Sequence, residues 1–169
     1  MISYNLGDTQ FNYRIVAILF HRGRVLIHQE EGERFWTLPG GRCEILEESR
    51  ETLKREMLEE LGLEAEIGPL VWVAENFFRR EGRDWHEIAF YYRVEVPPGE
   101  QILEKESSFP GVEEGKDLTF VWKPLDELNQ IDLFPEALRG RLKDVPDTTE
   151  RVVWRDAEER MVVAPETSP

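Results

Sequence analysis

Residues 48–61 contain neither glycine nor proline, are rich in good helix formers, and repeat Leu53, Met57 and Leu61 every four positions. That spacing predicts one helix with a core-facing apolar stripe. Gly62 follows where a left-handed cap residue belongs, and Glu47, Glu48 and Glu51 crowd the first turn, where the helix dipole favours acids. The flanking chain reads as strand. Residues 13–20 (YRIVAILF) are β-branched and apolar, 21–24 make a polar turn, and 25–29 (VLIHQ) return as a hairpin. Residues 70–74, 88–96 and 118–123 predict further strands, with a basic-aromatic loop over 76–84 between the first two and Pro97-Pro98 ending the second. Residues 126–128 followed by 134–142 suggest a second helix that starts near Pro135, and 151–163 (RVVWRDAEERMVV) is expected to form a late hairpin turning at 156–159. A helix bracketed by strands without regular βαβ repetition implies an α/β fold, a mixed sheet with helices on its faces.

At 169 residues the chain is sized for one domain. Residues 1–142 are assigned to it and 143–169 to a tail packed on the domain or a partner. The apolar runs 152–154 and 161–163 of that tail could supply a pairing edge for a homodimer. Acids outnumber bases 35 to 21, and the resulting net charge of −14 disfavours duplex nucleic acid. The longest uninterrupted apolar run, 15–20, is far short of the ~20 residues of a membrane helix. The N-terminus lacks a basic-then-apolar leader, so the expected address is the cytoplasm with no membrane partner. A single cysteine, Cys43, excludes an intrachain disulfide and a multi-cysteine zinc site. His21, His28 and His86 are too far apart in sequence for a two-histidine zinc spacing.

The chemistry concentrates on the predicted helix. At roughly 100° per residue, Glu56, Glu59 and Glu60 fall within one arc of about 100° beside the Leu53–Met57 stripe. Like charges at i, i+3 and i, i+4 repel, and a divalent cation relieves that repulsion. Carboxylate oxygens are hard ligands, so Mg2+ or Mn2+ is the expected ion and phosphate chemistry the expected use. Arg55, one position before Glu56, is placed to hold a carboxylate by a bidentate pair.

These residues also carry a resemblance. Residues 41–63 resemble the Nudix box, G-x5-E-x7-R-E-U-x-E-E-x-G-U with U aliphatic, and every fixed position is met by Gly41, Glu47, Arg55, Glu56, Glu59, Glu60 and Gly62. Met57 stands where Ile, Leu or Val is commoner, and Leu46 where a glycine often precedes the box glutamate. The preceding WTLPGG and the later FVWKPLDEL are also similar to Nudix proteins, extending the likeness over roughly residues 13–142.

The resemblance implies a Nudix-type α/β/α sandwich with a central mixed β-sheet, and Mg2+-dependent hydrolysis of a nucleoside diphosphate linked to another moiety X. By position, Glu56, Glu59 and Glu60 would be the metal ligands, with the Gly41 carbonyl a further one. Arg55 and Glu47 would form the supporting ion pair that joins loop to helix. The general base would be Glu59 or Glu56, with Glu44, Glu87 and Glu114 as alternatives outside the fixed positions. For the small-molecule nucleotide substrate, Arg79, Arg80 and Arg83 beside Phe77, Phe78 and Trp85 form a candidate phosphate clamp and base-stacking group, and His86 and Glu87 are further contacts. Phe35 and Trp36 read as core and Cys43 as incidental.

The proline of ADP-ribose hydrolases and the tyrosine of dinucleoside polyphosphate hydrolases are both missing after the box, where the chain reads Asn76-Phe77-Phe78-Arg79-Arg80. Nucleotide-sugars, nucleoside triphosphates and oxidised nucleotides remain open. The alternative is a non-hydrolysing nucleotide sensor of the same fold, against which the intact acids argue. An isomerase or decapping factor ranks last.

Overall fold

The structure is a computed structural model and describes residues 1–160. Its strands are β1 (Ser3–Leu6), β2 (Thr9–His21), β3 (Arg24–Glu30), β4 (Gly40–Arg42), β5 (Glu66–Arg80), β6 (Arg83–Glu95), β7 (Phe109–Pro110), β8 (Leu118–Pro124) and β9 (Glu150–Arg160). They form one mixed sheet in the order β7-β8-β3-β2-β6-β5-β9, with β1 and β4 also paired to β2. The pairs β2–β6 and β5–β9 are parallel and the others antiparallel.

Strand alternation sends successive residues of β2 to opposite faces. Ile15, Ala17 and Leu19 pack with Leu53, Met57 and Leu61 of helix α1 (Ser49–Leu61). Val16 and Ile18 pack on the other face with Leu128, Leu138 and Leu142, from the 3-10 turn Leu125–Gln130, the short helix α2 (Leu138–Arg141) and its end. The sheet is thus sandwiched between two apolar clusters, the mixed α/β layering that the sequence predicts. No helix among the described residues is long and apolar enough to cross a membrane.

Three expectations are corrected. Residues 76–84 are not a loop: β5 and β6 pair without interruption to Arg80 and Arg83, and only Glu81 and Gly82 turn. Both have positive φ, 52° and 74°, which suits the tight right-twisted reversal of a two-residue hairpin. The second helix is a single turn, because residues 125–130 form a 3-10 turn and α2 begins only at Leu138. The late hairpin does not turn at 156–159; β9 runs on through Arg160, drawn out by its parallel pairing with β5. The return strand expected at 161–163 lies outside the described residues.

The feature that makes a site is a fork. β2 and β3 pair only at Phe20–Val25 and His21–Arg24 and then separate, β3 to β8 and β2 to β4. The connecting chain bridges the gap, pairing Thr37 with His28 on one side and Gly40, Gly41 and Arg42 with Val16, Ile15 and Arg14 on the other. A cavity of about 570 Å³ opens at the fork.

Candidate active site

The loop before α1 is tied to the helix by its own polar groups. Glu47 Oε2 accepts bonds from the Thr52 hydroxyl at 2.8 Å and the Glu44 N–H at 3.2 Å. Arg55 then grips the same carboxylate, Nε to Oε1 at 2.9 Å and Nη2 to Oε2 at 3.0 Å. Its Nη1 reaches Glu56 Oε1 at 2.6 Å and Glu59 Oε2 at 3.2 Å, and its Nη2 also meets the Arg42 carbonyl at 3.3 Å. One guanidinium therefore organises three carboxylates. These bonds hold the Glu47 carboxyl down at about 2 and raise the Arg55 guanidinium further above its ordinary value.

Burial grades the three box glutamates. Glu60 is 2% and Glu56 5% exposed, whereas the Glu59 side chain is 44% exposed. Burial pushes the Glu60 carboxyl up to about 8, and its Oε2 has no hydrogen-bond partner. Gly41 lies against Glu56 so closely that a Cβ would fall inside the carboxylate, which explains why this position carries no side chain. Among the described residues no three acidic side chains form a ready-made metal cage, because Glu56 and Glu59 are turned toward Arg55. The donor set nevertheless fits a hard divalent cation: an orphaned buried oxygen on Glu60, a second buried carboxylate on Glu56, and an exposed third on Glu59.

The cavity wall gathers Gly41, Arg55, Glu56, Glu59 and Glu60, together with Glu44, Phe78 and Glu87. Arg79, Arg83 and His86 are not part of that wall. Arg79 is exposed at the hairpin tip, donating to the Gly82 carbonyl at 3.3 Å and lying 3.7 Å from Asp84; Arg83 donates to Asn5 Oδ1 at 3.4 Å. His86 is held in aromatic contact with Phe77 and Phe11. Of the three arginines expected to clamp phosphates, only Arg80 lines the cavity, because β5 alternation sends Phe78 and Arg80, rather than Arg79, toward it. Glu114 is likewise outside it, whereas Glu113 lines it.

Sequence reasoning missed three of the cavity's cations, Arg14, Arg42 and Lys116. Arg14, Arg42, Arg80 and Lys116 line it beside Arg55. Arg14 donates to the Leu38 carbonyl at 3.4 Å, Arg80 pairs with Glu33 at 2.7 Å and lies over the Phe35 ring at 5.5 Å, and Lys116 pairs with Glu113 at 2.9 Å. Phe35 is both core and cavity wall. The available signal was the polar alternation of Asn12 and Arg14 leading into an otherwise apolar strand. Cys43 is buried and within hydrogen-bond distance of the Thr52 hydroxyl and the Glu47 carbonyl, a packing role in the loop.

The NUDIX domain model matches residues 11–145. No curated protein matches the chain. Among solved structures, the Escherichia coli ORF135 protein is 25% identical, with 81% of this chain and 96% of that one covered and a TM-score of 0.50. A MutT protein from Bacillus halodurans is 19% identical, covering 85% and 89%, at a TM-score of 0.57. A NUDIX hydrolase from Nitrosomonas europaea is 20% identical, covering 86% and 79%, at 0.56.

Proposed function

The chain belongs to the Nudix family of pyrophosphohydrolases, and we propose that it acts with Mg2+ or Mn2+ on a nucleoside diphosphate linked to another moiety X, releasing a nucleoside monophosphate and X-phosphate. The observation that carries the reading is Arg55 binding Glu47, Glu56 and Glu59 at once beside the buried, unpartnered Glu60 oxygen. A surface charge run would not be built this way.

Glu56 and Glu60 would hold the ion, with Glu59 and the Gly41 carbonyl available to it. When bound, the ion neutralises charge on the diphosphate oxygens and acidifies an attacking water. Arg55 holds Glu56 and Glu59 beside Glu47, so both carboxylates are gathered at the site before substrate arrives. Glu59, the most exposed of the three, takes the proton as water adds to phosphorus and the bridging P–O bond breaks. Arg14 and Lys116 on the cavity wall balance the substrate's phosphates in a chain of net charge −14.

The test is phosphate release, through a coupled phosphatase, from nucleotide-sugars, dinucleoside polyphosphates, nucleoside triphosphates and ADP-ribose, with Mg2+ or Mn2+, beside Glu59→Gln. Turnover of one class that is lost in the variant supports the hydrolase and identifies X. Silence across the panel, with nucleotide still bound, replaces it with a sensor.

A further inference from the structure

A second polar constellation outside the box reaches the cavity wall at Asn12 and Glu87. Asn12 on β2, Glu87 on β6 and Asn76 on β5 are aligned in direct register across three neighbouring strands. Their exposures are 3%, 5% and 1%. Glu87 Oε2 accepts from Asn12 Nδ2 at 2.7 Å and Glu87 Oε1 from Asn76 Nδ2 at 3.1 Å. A carboxylate can only accept, so it locks both amides with their NH2 groups turned inward; flipping either would set oxygen against oxygen.

The consequence is an uncompensated row of acceptors. Asn12 Oδ1 and Asn76 Oδ1 are buried without a partner, and among the described residues no lysine or arginine forms an ion pair with Glu87. A buried acceptor left unpaired costs about 1–3 kcal/mol, more when charged, so a row of them is retained where something else supplies donors. Asn12 and Glu87 both line the cavity.

The neighbouring rows define that something. One step along the same face, Trp85 and Phe78 are paired in register and stacked, with ring centroids 5.5 Å apart and planes 14° apart. One step the other way is Arg14, paired on β2's other side with Arg42 next to Gly41. Each step is roughly 7 Å of strand. The face therefore runs from the phosphate-handling acids and arginines, through the acceptor row, to an aromatic platform. A nucleotide anchored by its phosphates beside Arg14 brings its base to the acceptors and next to the Trp85–Phe78 pair, both of which line the cavity.

Donor count then chooses among the bases. Guanine presents N1–H and an exocyclic amine side by side, two donors for one acceptor row. Adenine and cytosine set a ring-nitrogen lone pair beside their amine, and uracil flanks its single N–H with carbonyls, so each turns an acceptor toward Glu87. A site built to receive donors rejects a ligand lacking them far more strongly than an apolar pocket discriminates shape.

We propose that Glu87, locked by Asn12 and Asn76, is a specificity-determining residue that selects a guanine-type base through its paired N–H donors. This rests on the cleft being the nucleotide site proposed above. The test is calorimetric binding of GMP, IMP, AMP and UMP to the full chain without metal, for wild type and Glu87→Gln. Wild type is expected to bind GMP at least tenfold tighter than AMP or UMP, with IMP, which keeps N1–H but lacks the amine, in between. The variant, shown folded by its circular dichroism and cooperative melt, is expected to lose most of the GMP advantage while AMP binding changes less than threefold. The wild-type series needs no variant: equal affinity for GMP and AMP, or no binding of any at millimolar concentration, overturns the proposal. A folded variant that weakens all four equally overturns it too. Because nothing here requires turnover, guanine-selective binding by a chain that hydrolyses nothing would sink the hydrolase and leave this assignment standing.

Discussion

Arg55 holds Glu47 through two parallel bonds, Nε to Oε1 and Nη2 to Oε2, and spends its remaining Nη1 on Glu56 and Glu59. Only a planar guanidinium has the fork for the first pair and a spare donor edge for the second. Arg55→Lys keeps the charge and loses the geometry. We expect kcat to fall 10- to 100-fold, as for other residues that orient ligands. Stability should fall by only about 1 kcal/mol, because the pair is partly solvent-exposed. Steady-state kinetics with urea melts checks both; a lysine variant with full kcat would remove the orienting role.

Gly41→Ala separates the site from the fold. The new methyl meets the end of a side chain, the Glu56 carboxylate, which can swing away at little cost to the core. The expected result is a melting temperature within a few degrees of wild type and at least a tenfold loss of activity, partly recovered at high Mn2+. A large loss of stability with activity per folded molecule intact would contradict this.

Leu46 occupies the left-handed region at φ 67° and is exposed, a conformation that suits glycine. A side chain there costs about 1–2 kcal/mol, offset in part by the greater entropy glycine loses on folding. Leu46→Gly is therefore expected to stabilise the protein by about 0.5–1 kcal/mol in urea melts, with activity unchanged within twofold. Destabilisation would show that Leu46 has contacts worth more than its strain.

The helix, the first hairpin and the acid cluster were legible because each is local: a four-residue stripe, an apolar alternation, and carboxylates one turn apart. The Glu81–Gly82 hairpin was not, because Phe77, Phe78, Arg79 and Arg80 mix aromatics and cations on both faces, and no apolar alternation marks the pairing. Arg14, Asn12 and Lys116 were missed for a different reason. Their relevance arises from the β2–β3 fork and from segments brought together across the sheet, and no sequence spacing encodes that. Composition marks Arg79, Arg80 and Arg83 alike as cations among aromatics, and only the strand phase, invisible without the hairpin, separates Arg80 in the cavity from the other two.

His28 gives the pH prediction. Burial, reinforced by the positive charge of Arg14, lowers its imidazole to about 3 against an ordinary value near 6.5. The unfolded chain therefore takes up a proton that the folded chain refuses between pH 6.5 and 3. This contribution is fully present above pH 6.5 and is lost as pH falls through that window, with a slope of up to about 1.4 kcal/mol per unit. His28→Gln removes it. Between pH 7 and 5 wild type should lose up to about 2 kcal/mol more than the variant in urea melts; parallel losses would show that His28 is not held neutral.

Glu60→Gln tests the ion site without using catalysis as its only readout. In metal-free protein the Glu60 carboxyl is buried with one oxygen unpartnered, so removing its potential charge relieves the helix of a cost. Stability in EDTA should be equal to wild type or higher by about 1 kcal/mol. The converse holds with metal present: Mn2+ binding to the folded state alone raises the wild-type melting temperature by linkage, and a neutral amide at this position is a poor substitute ligand. The variant is expected to lose most of that rise together with its turnover. A Mn2+-induced rise of wild-type size in Glu60→Gln would place the ion elsewhere in the cavity and leave Glu60 a buried acid of the core.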